Sequence, residues 1–310
     1  MPFHKYADYI RQRFHCRVQK ITVDAGLTCP NRDGTCGTTG CTYCTNQGFA
    51  PIHLKRLSIP QQIEHGIRLS KHRYKKVDKY FVYFQAYSNT YAPLNTLKDL
   101  FTQALTVPGV IGLCIGTRPD CIDDAKLAFL QDLASTKNVT ITLEFGLESI
   151  LDTTLQRINR GHSVACFEQA VKKTASYHLL TGAHLILGFP WEPTTIAAAS
   201  GDFLSKLPLN FLKIHQLEIL RSTVLGQAYQ AHPFPLFTEA TYYQQVIDLL
   251  THLRQDIIIE RLCNEAPPDL VLAPAWHLNA DKVGQTIARL MQEQNVYQGK
   301  NAPRMSDRST

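Results

Sequence analysis

Apolar, β-branched runs recur along the chain with helix-period stretches between them. Six runs read as strands: Val18 to Asp24, Tyr80 to Gln85, Val110 to Gly116, Val139 to Phe145, Gly182 to Gly188 and Phe211 to Leu217. Helical patterns fall between them near 60–71, 94–105, 123–135, 151–178 (with a break at Gly161) and 194–206. Strict alternation of this kind predicts a parallel sheet made of βα units. The runs IGLCIG, HLILGF and VTITLEFG are nearly continuous in apolar residues, as strands covered on both faces must be. Eight such strands close a barrel, and six leave it open. The expected fold is therefore α/β, a partial (β/α)6 TIM-like barrel. A helix near 239–253, a short strand from Asp256 to Glu260 and a last helix near 279–294 predict a small C-terminal α/β extension. The expected organisation is an N-terminal helix over 1–16, the barrel over 17–235, the extension over 236–298 and a disordered tail over 299–310.

Each of the first five strands ends in residues that carry chemistry. The strand ends read CP, FQAYSNTY, GTRPD, EFGLES and GFPWE. In βα barrels and open α/β sheets the carboxyl ends of the strands converge on the functional site, so polar residues and glycines collect there. A binding or sensing module has no need of such residues on five successive strands.

Composition narrows the picture further. The 310 residues are 44% hydrophobic and 19% charged, a globular balance, and no apolar run is long enough to span a bilayer. The N-terminus MPFHKYADYIRQRFH is amphipathic and has neither an apolar h-region nor a small-residue cleavage site. It reads as a mature helix, and the expected location is cytoplasmic, away from membranes. The formal charge of +6 is unevenly placed. Residues 1–80 hold 14 Lys/Arg against 5 Asp/Glu, a local +9, which leaves −3 for the rest. An anionic partner for the N-terminal third follows. The stretch RLSKHRYKKVDK (68–79), with His72 and Tyr74 among its cations, is the candidate for contact with phosphates; a solvated helix face has the same composition.

Nine cysteines suggest disulfides only in short secreted chains, and four of these crowd one loop: Cys29, Cys36, Cys41 and Cys44 in TCPNRDGTCGTTGCTYC. Thiolates at this density bind metal. Cys29 with Cys41 and Cys44 makes Cx11CxxC, and Cys36 with the same pair makes Cx4CxxC. All four together make a closed tetrahedral zinc site. Three thiolates on a cubane leave one iron open to a further ligand. Structural zinc sites pair two CxxC knuckles, whereas this loop has one.

Cx11CxxC after a first strand, within TVDAGLTCPNRDG and GCTYC, resembles the radical S-adenosylmethionine (SAM) enzymes of the YhcC type. The likeness extends through YFQAYSNTYAP, GTRPDC, LEFGLES, TLQRINRGH, HLILGFP and KIHQLEIL, in order. That family is similar in turn to the radical domain of the Elongator catalytic subunit, which acts on the wobble uridine of tRNA. The resemblance implies that Cys29, Cys41 and Cys44 ligate three irons of a [4Fe–4S] cluster. SAM chelates the fourth iron through its amino and carboxylate groups, and an electron cleaves it to methionine and a 5′-deoxyadenosyl radical. It further implies tRNA as partner, through the basic N-terminal third, and a flavodoxin- or ferredoxin-type electron donor. A small metabolite or a protein is the alternative substrate. A noncatalytic iron–sulfur or zinc protein that binds nucleic acid or senses redox state is the alternative class.

Two departures stand out. Cys36 occupies a position that is ordinarily not cysteine, and the second strand ends in Phe84, Gln85 and Ala86 where many radical enzymes have Gly-Gly-Glu. Gln85, with backbone carbonyls, is expected to take that role. The remaining cofactor contacts are expected from Thr117 and Arg118, Glu144 and Glu148, Arg160 and Gly188. Each has a plainer reading. Glu144 and Glu148 suit a structural ion pair, Arg118 with Asp120 a surface turn, Gly161 beside Arg160 a helix cap, and Gly188 with Pro190 a strand end. His184 and His215 are candidates for substrate contact, against the commoner role of satisfied core histidines.

Overall fold

The computed structural model describes residues 1–45, 54, 56–74, 76–276 and 278–303. Its centre is a curled parallel sheet. Strands β1 (Val18–Val23), β2 (Lys79–Phe84), β3 (Val110–Thr117), β4 (Thr140–Glu148), β5 (Leu180–Leu187) and β6 (Phe211–Gln216) lie side by side in chain order. Helices α2 (Ile59–Arg73), α3 (Leu94–Ala104), α4 (Asp124–Lys137), α5 (Asp152–Arg157), α6 (Val164–Ser176) and α7 (Ile196–Ser205) connect them. Starts are sharply signalled: Ser58 and Gln61 form a reciprocal capping box on α2, and Asp123 and Ser163 cap α4 and α6.

Period-two alternation sorts the strand residues into two environments. On β2, Val82 and Phe84 join Leu113 and Ile115 in the large core beneath the helices, with Ile63, Leu97 and Phe101. Phe81 and Tyr83 point the other way, into the concave interior, with Cys114 and Ile10. Helix α1 (Tyr6–Phe14) closes the amino-end mouth of that interior. Tyr6 and Tyr9 meet the Phe211 ring edge-on at 5.6 and 5.4 Å, and Phe14 meets Phe81 at 5.6 Å. A ligand then reaches the interior through the opposite mouth, at the carboxyl ends of the strands.

Among the described residues the sheet has seven strands, one more than the six expected. The short strand assigned to the extension, β8 (Ile258–Arg261), pairs in parallel with β6 through Phe211↔Ile258 and Leu212↔Ile259, so the sheet continues across residue 236. Its free edge is covered by the N-terminal segment, where Ile259 N–H donates to His4 O at 2.8 Å. Three elements were not legible at all: β7 (Ile219–Leu220), β9 (Val271–Ala273) and α8 (Val224–Ala231). Strands of two and three residues carry no measurable periodicity, and β7 and β9 exist only as antiparallel partners of each other. Helices α9 (Glu239–His252) and α10 (Ala280–Glu293) fall where expected. The start of the segment expected to be a disordered tail is tied down, since Gly299 N–H donates to Leu250 O (3.0 Å) and Asn301 N–H to Thr251 O (2.8 Å). Residues 304–310 of that tail lie outside the described residues. Among the described residues, no helix is long and apolar enough to cross a membrane.

Candidate active site

The carboxyl ends of the strands surround a cavity of about 250 Å³, and the sulfur-bearing loop forms one of its walls. Cys29, Cys41 and Cys44 all line it. Cys36 does not; it is exposed on the outer turn of the loop. Among the described residues no three of His, Cys, Asp or Glu are drawn together tightly enough for a single metal ion.

The loop holds its shape through its own backbone. Cys36 N–H donates to Pro30 O and Gly40 N–H to Asn31 O, both at 2.7 Å, and Gly40 adopts φ +75°, which favours glycine. A Cβ there would stand 2.9 Å from the Arg32 guanidinium, which is turned inward to donate to Cys44 O at 2.7 Å. Asn31 Nδ2 and Arg160 Nη1 each point at Cys41 Sγ at 3.6 Å. Burial, with Cys41 beside it, pushes the Cys44 thiol up to about 11, and Arg32 pulls against that shift. Loading an electropositive group here would release protons from such thiols. The donor set therefore fits an iron–sulfur cluster: three thiols on one cavity wall, ringed by N–H donors and cations suited to thiolates.

Next to the sulfurs stand most of the other expected contacts. Gln85, Thr117, Glu148 and Arg160 line the cavity. Arg160 is 7% exposed, donates to Gly146 O at 2.7 Å and lies 3.5 Å from Glu148, while its Nε has no partner among the described residues. Glu148 sits at φ +72° beside a register shift in β4, a left-handed backbone uncommon for a non-glycine residue at a strand end. Tyr87 shares the feature at φ +63°, and with Ser88 it also lines the cavity. The buried Ser88 Oγ has no partner among the described residues, so this strand end presents a free hydroxyl where Gly-Gly-Glu is missing. Neither residue was singled out from the sequence, although both lie in the FQAYSNTY block.

Arg118 lines the cavity, but its fork is spent internally. Nε and Nη2 hold Asp120 bidentately at 2.9 and 2.6 Å, and Nη1 and Nη2 donate to the carbonyls of Arg160 and Gly161. At 2% exposure this is neither a surface turn nor a free anion clamp; it braces the turn that carries Arg160. Gly188 is not among the cavity-lining residues. At φ +110° it turns the chain after β5 and packs against Phe237 and Leu217, a strand-ending role.

Glu144 makes the ion pair that was its plainer reading. It is 2% exposed and anchors a buried charge network across the barrel floor. Lys20 Nζ lies 3.0 Å from Glu144 and 2.6 Å from Glu260, and Lys213 Nζ lies 2.5 Å from Glu144 and 2.9 Å from Glu260. Tyr83 OH and His184 Nε2 add contacts of 3.1 Å each, to Lys213 and Glu144 respectively. Burial acts to raise the Glu144 carboxyl, but Lys20, Lys213 and His184 outweigh it and hold it well below the ordinary carboxylate range. Glu144 still borders the cavity, as do Lys213 and Tyr83. The lysines were missed because a lone Lys in KITV or FLKIH looks like a solvent-facing strand position.

The half of the cavity away from the sulfurs is built by β5, β6, β8 and the segments that follow. His184, His215, Gln216, Glu218, Arg261 and Asn264 line it. The two histidine rings lie 5.6 Å apart. Burial, reinforced by nearby cations, holds His215 well below the ordinary histidine value and therefore neutral.

The basic stretch lies elsewhere. Arg17 precedes β1 and its guanidinium stacks 3.7 Å over Tyr74, with Arg73 at 5.5 Å from the same ring, at the amino ends of β1 and β2. This is the rim opposite the cavity mouth. Lys75 of that stretch lies outside the described residues.

Comparison with known proteins agrees with this architecture. A family model described as "Radical SAM superfamily" matches residues 31–195, and one described as "Radical_SAM C-terminal domain" matches residues 209–293. The chain is 30% identical to YtqA of Bacillus subtilis over 307 residues (99% of this chain, 95% of the relative). It is 32% identical to YhcC of Escherichia coli over 267 residues (86% and 85%). A tRNA uridine(34) acetyltransferase of Dehalococcoides mccartyi is 22% identical over 180 residues, 57% of this chain and 38% of that protein. The structure of Elp3 from the archaeon Methanocaldococcus infernus superposes with a TM-score of 0.69 at 15% identity, over 91% of this chain and 64% of that one. Three thiols on one wall of a strand-end cavity, in a seven-stranded curled sheet matched by these families, place the chain in the radical SAM superfamily, enzymes that bind a [4Fe–4S] cluster and S-adenosylmethionine.

Proposed function

We propose that this radical SAM enzyme modifies RNA, with the wobble uridine of tRNA as the reacting nucleoside. One observation carries the reading: the cavity bordered by the three cysteines is also lined by His184, His215, Gln216, Glu218, Arg261 and Asn264, hydrogen-bonding groups suited to a nucleobase. The relative named tRNA uridine(34) acetyltransferase supplies the chemical class, and the Elp3 fold is consistent with it.

In this reading Cys29, Cys41 and Cys44 hold the cluster, and Gln85, Thr117, Glu148 and Arg160, with Ser88, hold the SAM methionyl and ribose groups. The bound pair supplies a 5′-deoxyadenosyl radical. The protein's own residues do the rest. Arg160 and Asn31 stabilise thiolate charge at Cys41, and Arg32 orients the Cys44 backbone. Helix α1 seals the floor against water, and the Lys20–Glu144–Lys213–Glu260 network keeps the barrel wall rigid beneath the reacting groups. The cationic rim at Arg17, Arg73 and Tyr74, opposite the mouth, serves phosphates distant from the reacting nucleoside.

Nucleoside profiling of tRNA from a strain lacking the gene tests the substrate. Loss or change of one wobble-uridine derivative is expected, and an unchanged profile overturns the RNA assignment.

A further inference from the structure

The cysteine-free half of the cavity has a definite hydrogen-bonding character. Glu218 follows β6 and is fixed from three sides: Gln216 Nε2 donates to Oε1 at 3.0 Å, Asn264 Nδ2 to Oε2 at 2.6 Å, and the Ala266 backbone N–H also reaches the carboxyl. Gln216 is itself clamped, accepting from Asn264 N–H at 2.8 Å and donating to Asn264 O at 2.9 Å. The pair locks the end of β6 to the segment after β8, so the carboxyl is held in one place. A carboxylate offers about four acceptor positions, and three donors leave capacity on an oxygen that lines the cavity.

Polar groups accompany it. His215 lines the same space, and its Nε2 is buried without a partner among the described residues. Arg261 is exposed at the end of β8, and its Nη1 has a long 3.5 Å contact to Asn264 Oδ1, the amide whose nitrogen grips Glu218. The same cavity thus offers a fixed carboxylate acceptor together with the polar groups of His215 and Arg261. Its complement is a planar group with an N–H between two carbonyl oxygens, which is the Watson–Crick edge of uracil. Cytosine places an unprotonated ring nitrogen at the central position, where it meets a carboxylate lone pair without a proton between them.

We infer that Glu218, with His215 and Arg261, forms a base-recognition subsite that accepts the N3–H of a uracil ring and rejects cytosine. The inference rests on the RNA reading above and deepens it. Gln216 and Asn264 are positioning residues, since they act through Glu218.

The test uses anaerobically reconstituted protein and two anticodon stem-loop RNAs that differ only in uridine or cytidine at the wobble position, with affinity read by fluorescence anisotropy. Wild type is expected to favour uridine by about tenfold. In Glu218→Gln, whose amide can donate to the cytosine ring nitrogen, the preference should vanish or reverse. A uridine preference that survives Glu218→Gln overturns the subsite while leaving the RNA reading in place, as does equal wild-type affinity for the two stem-loops. Failure of wild type to bind either stem-loop defeats the RNA reading, and the subsite with it. A change in the RNA decides the question if the variant is unstable: 3-methyluridine at the same position removes the donated hydrogen, and should cost wild type about tenfold in affinity. Undiminished binding of that methylated stem-loop overturns the proposal.

Discussion

Lys20 on β1 and Glu144 on β4 meet across the barrel interior, Nζ to Oε1 at 3.0 Å, joining two strands that are not neighbours in the sheet. Glu144 receives Lys213 and His184 on its other oxygen, so one carboxylate satisfies two buried ammonium groups. Removing it leaves both ammonium groups to share Glu260 alone, and loss of such charged hydrogen bonds costs about 1–3 kcal/mol. Glu144→Gln is expected to lose stability in that range by urea denaturation at pH 7. Because the folded carboxyl is held well below the ordinary value of 4.5, its contribution is complete above that pH and fades as the pH falls through the folded value. The gap between wild type and variant should accordingly be constant from about pH 6 to 8 and shrink below about pH 4. A gap independent of pH in acid contradicts the ionised state assigned here.

The cysteines separate by position. Cys41→Ala is expected to abolish retention of iron after anaerobic reconstitution and all cleavage of SAM, because it removes one of the sulfurs on the cavity wall. Cys36→Ala, changed at an exposed site off that wall, should retain about four irons per chain. Iron analysis and absorbance decide the matter, and loss of the cluster in Cys36→Ala would require a different ligand set.

Gly146 is a steric sensor of the Arg160 position. A Cβ there would stand 2.3 Å from Glu148 Oε1 and 2.4 Å from Arg160 Nη2, so Gly146→Ala must displace that pair. The strand itself, at an allowed backbone, tolerates alanine. Faster loss of iron in air with a melting temperature within a few degrees of wild type is expected; an unchanged rate of loss means that Arg160 does not support the Cys41 thiolate.

The rim at the amino ends of β1 and β2 is testable by charge. Arg17→Glu and Arg73→Glu, at exposed positions, should weaken retardation of bulk tRNA in a gel and reduce the salt slope of binding by about one for each phosphate that the side chain neutralises. Iron content should stay unchanged, since neither residue approaches the cavity. Unaltered retardation removes this face from the RNA footprint.

Much of the architecture and part of the site were legible in the letters. The six strands of the barrel and the helices between them follow from local periodicity, which the chain expresses residue by residue. The sulfur loop was equally plain, because ligand spacing is a property of sequence. What the letters could not show was which distant side chains meet. Glu144 reads as a cofactor contact or an ion pair, and only the fold brings Lys20, 124 positions away, against it. Arg118 reads as an anion clamp or as the partner of Asp120, and only the fold shows that two carbonyls occupy its remaining donors. Glu218 and Asn264 gain meaning only because β8 joins the sheet beside β6. Periodicity and ligand spacing are short-range quantities, fixed by neighbours along the chain. Pairing of charges inside a barrel depends on strand order and register, and these arise only when the whole sheet closes around its floor.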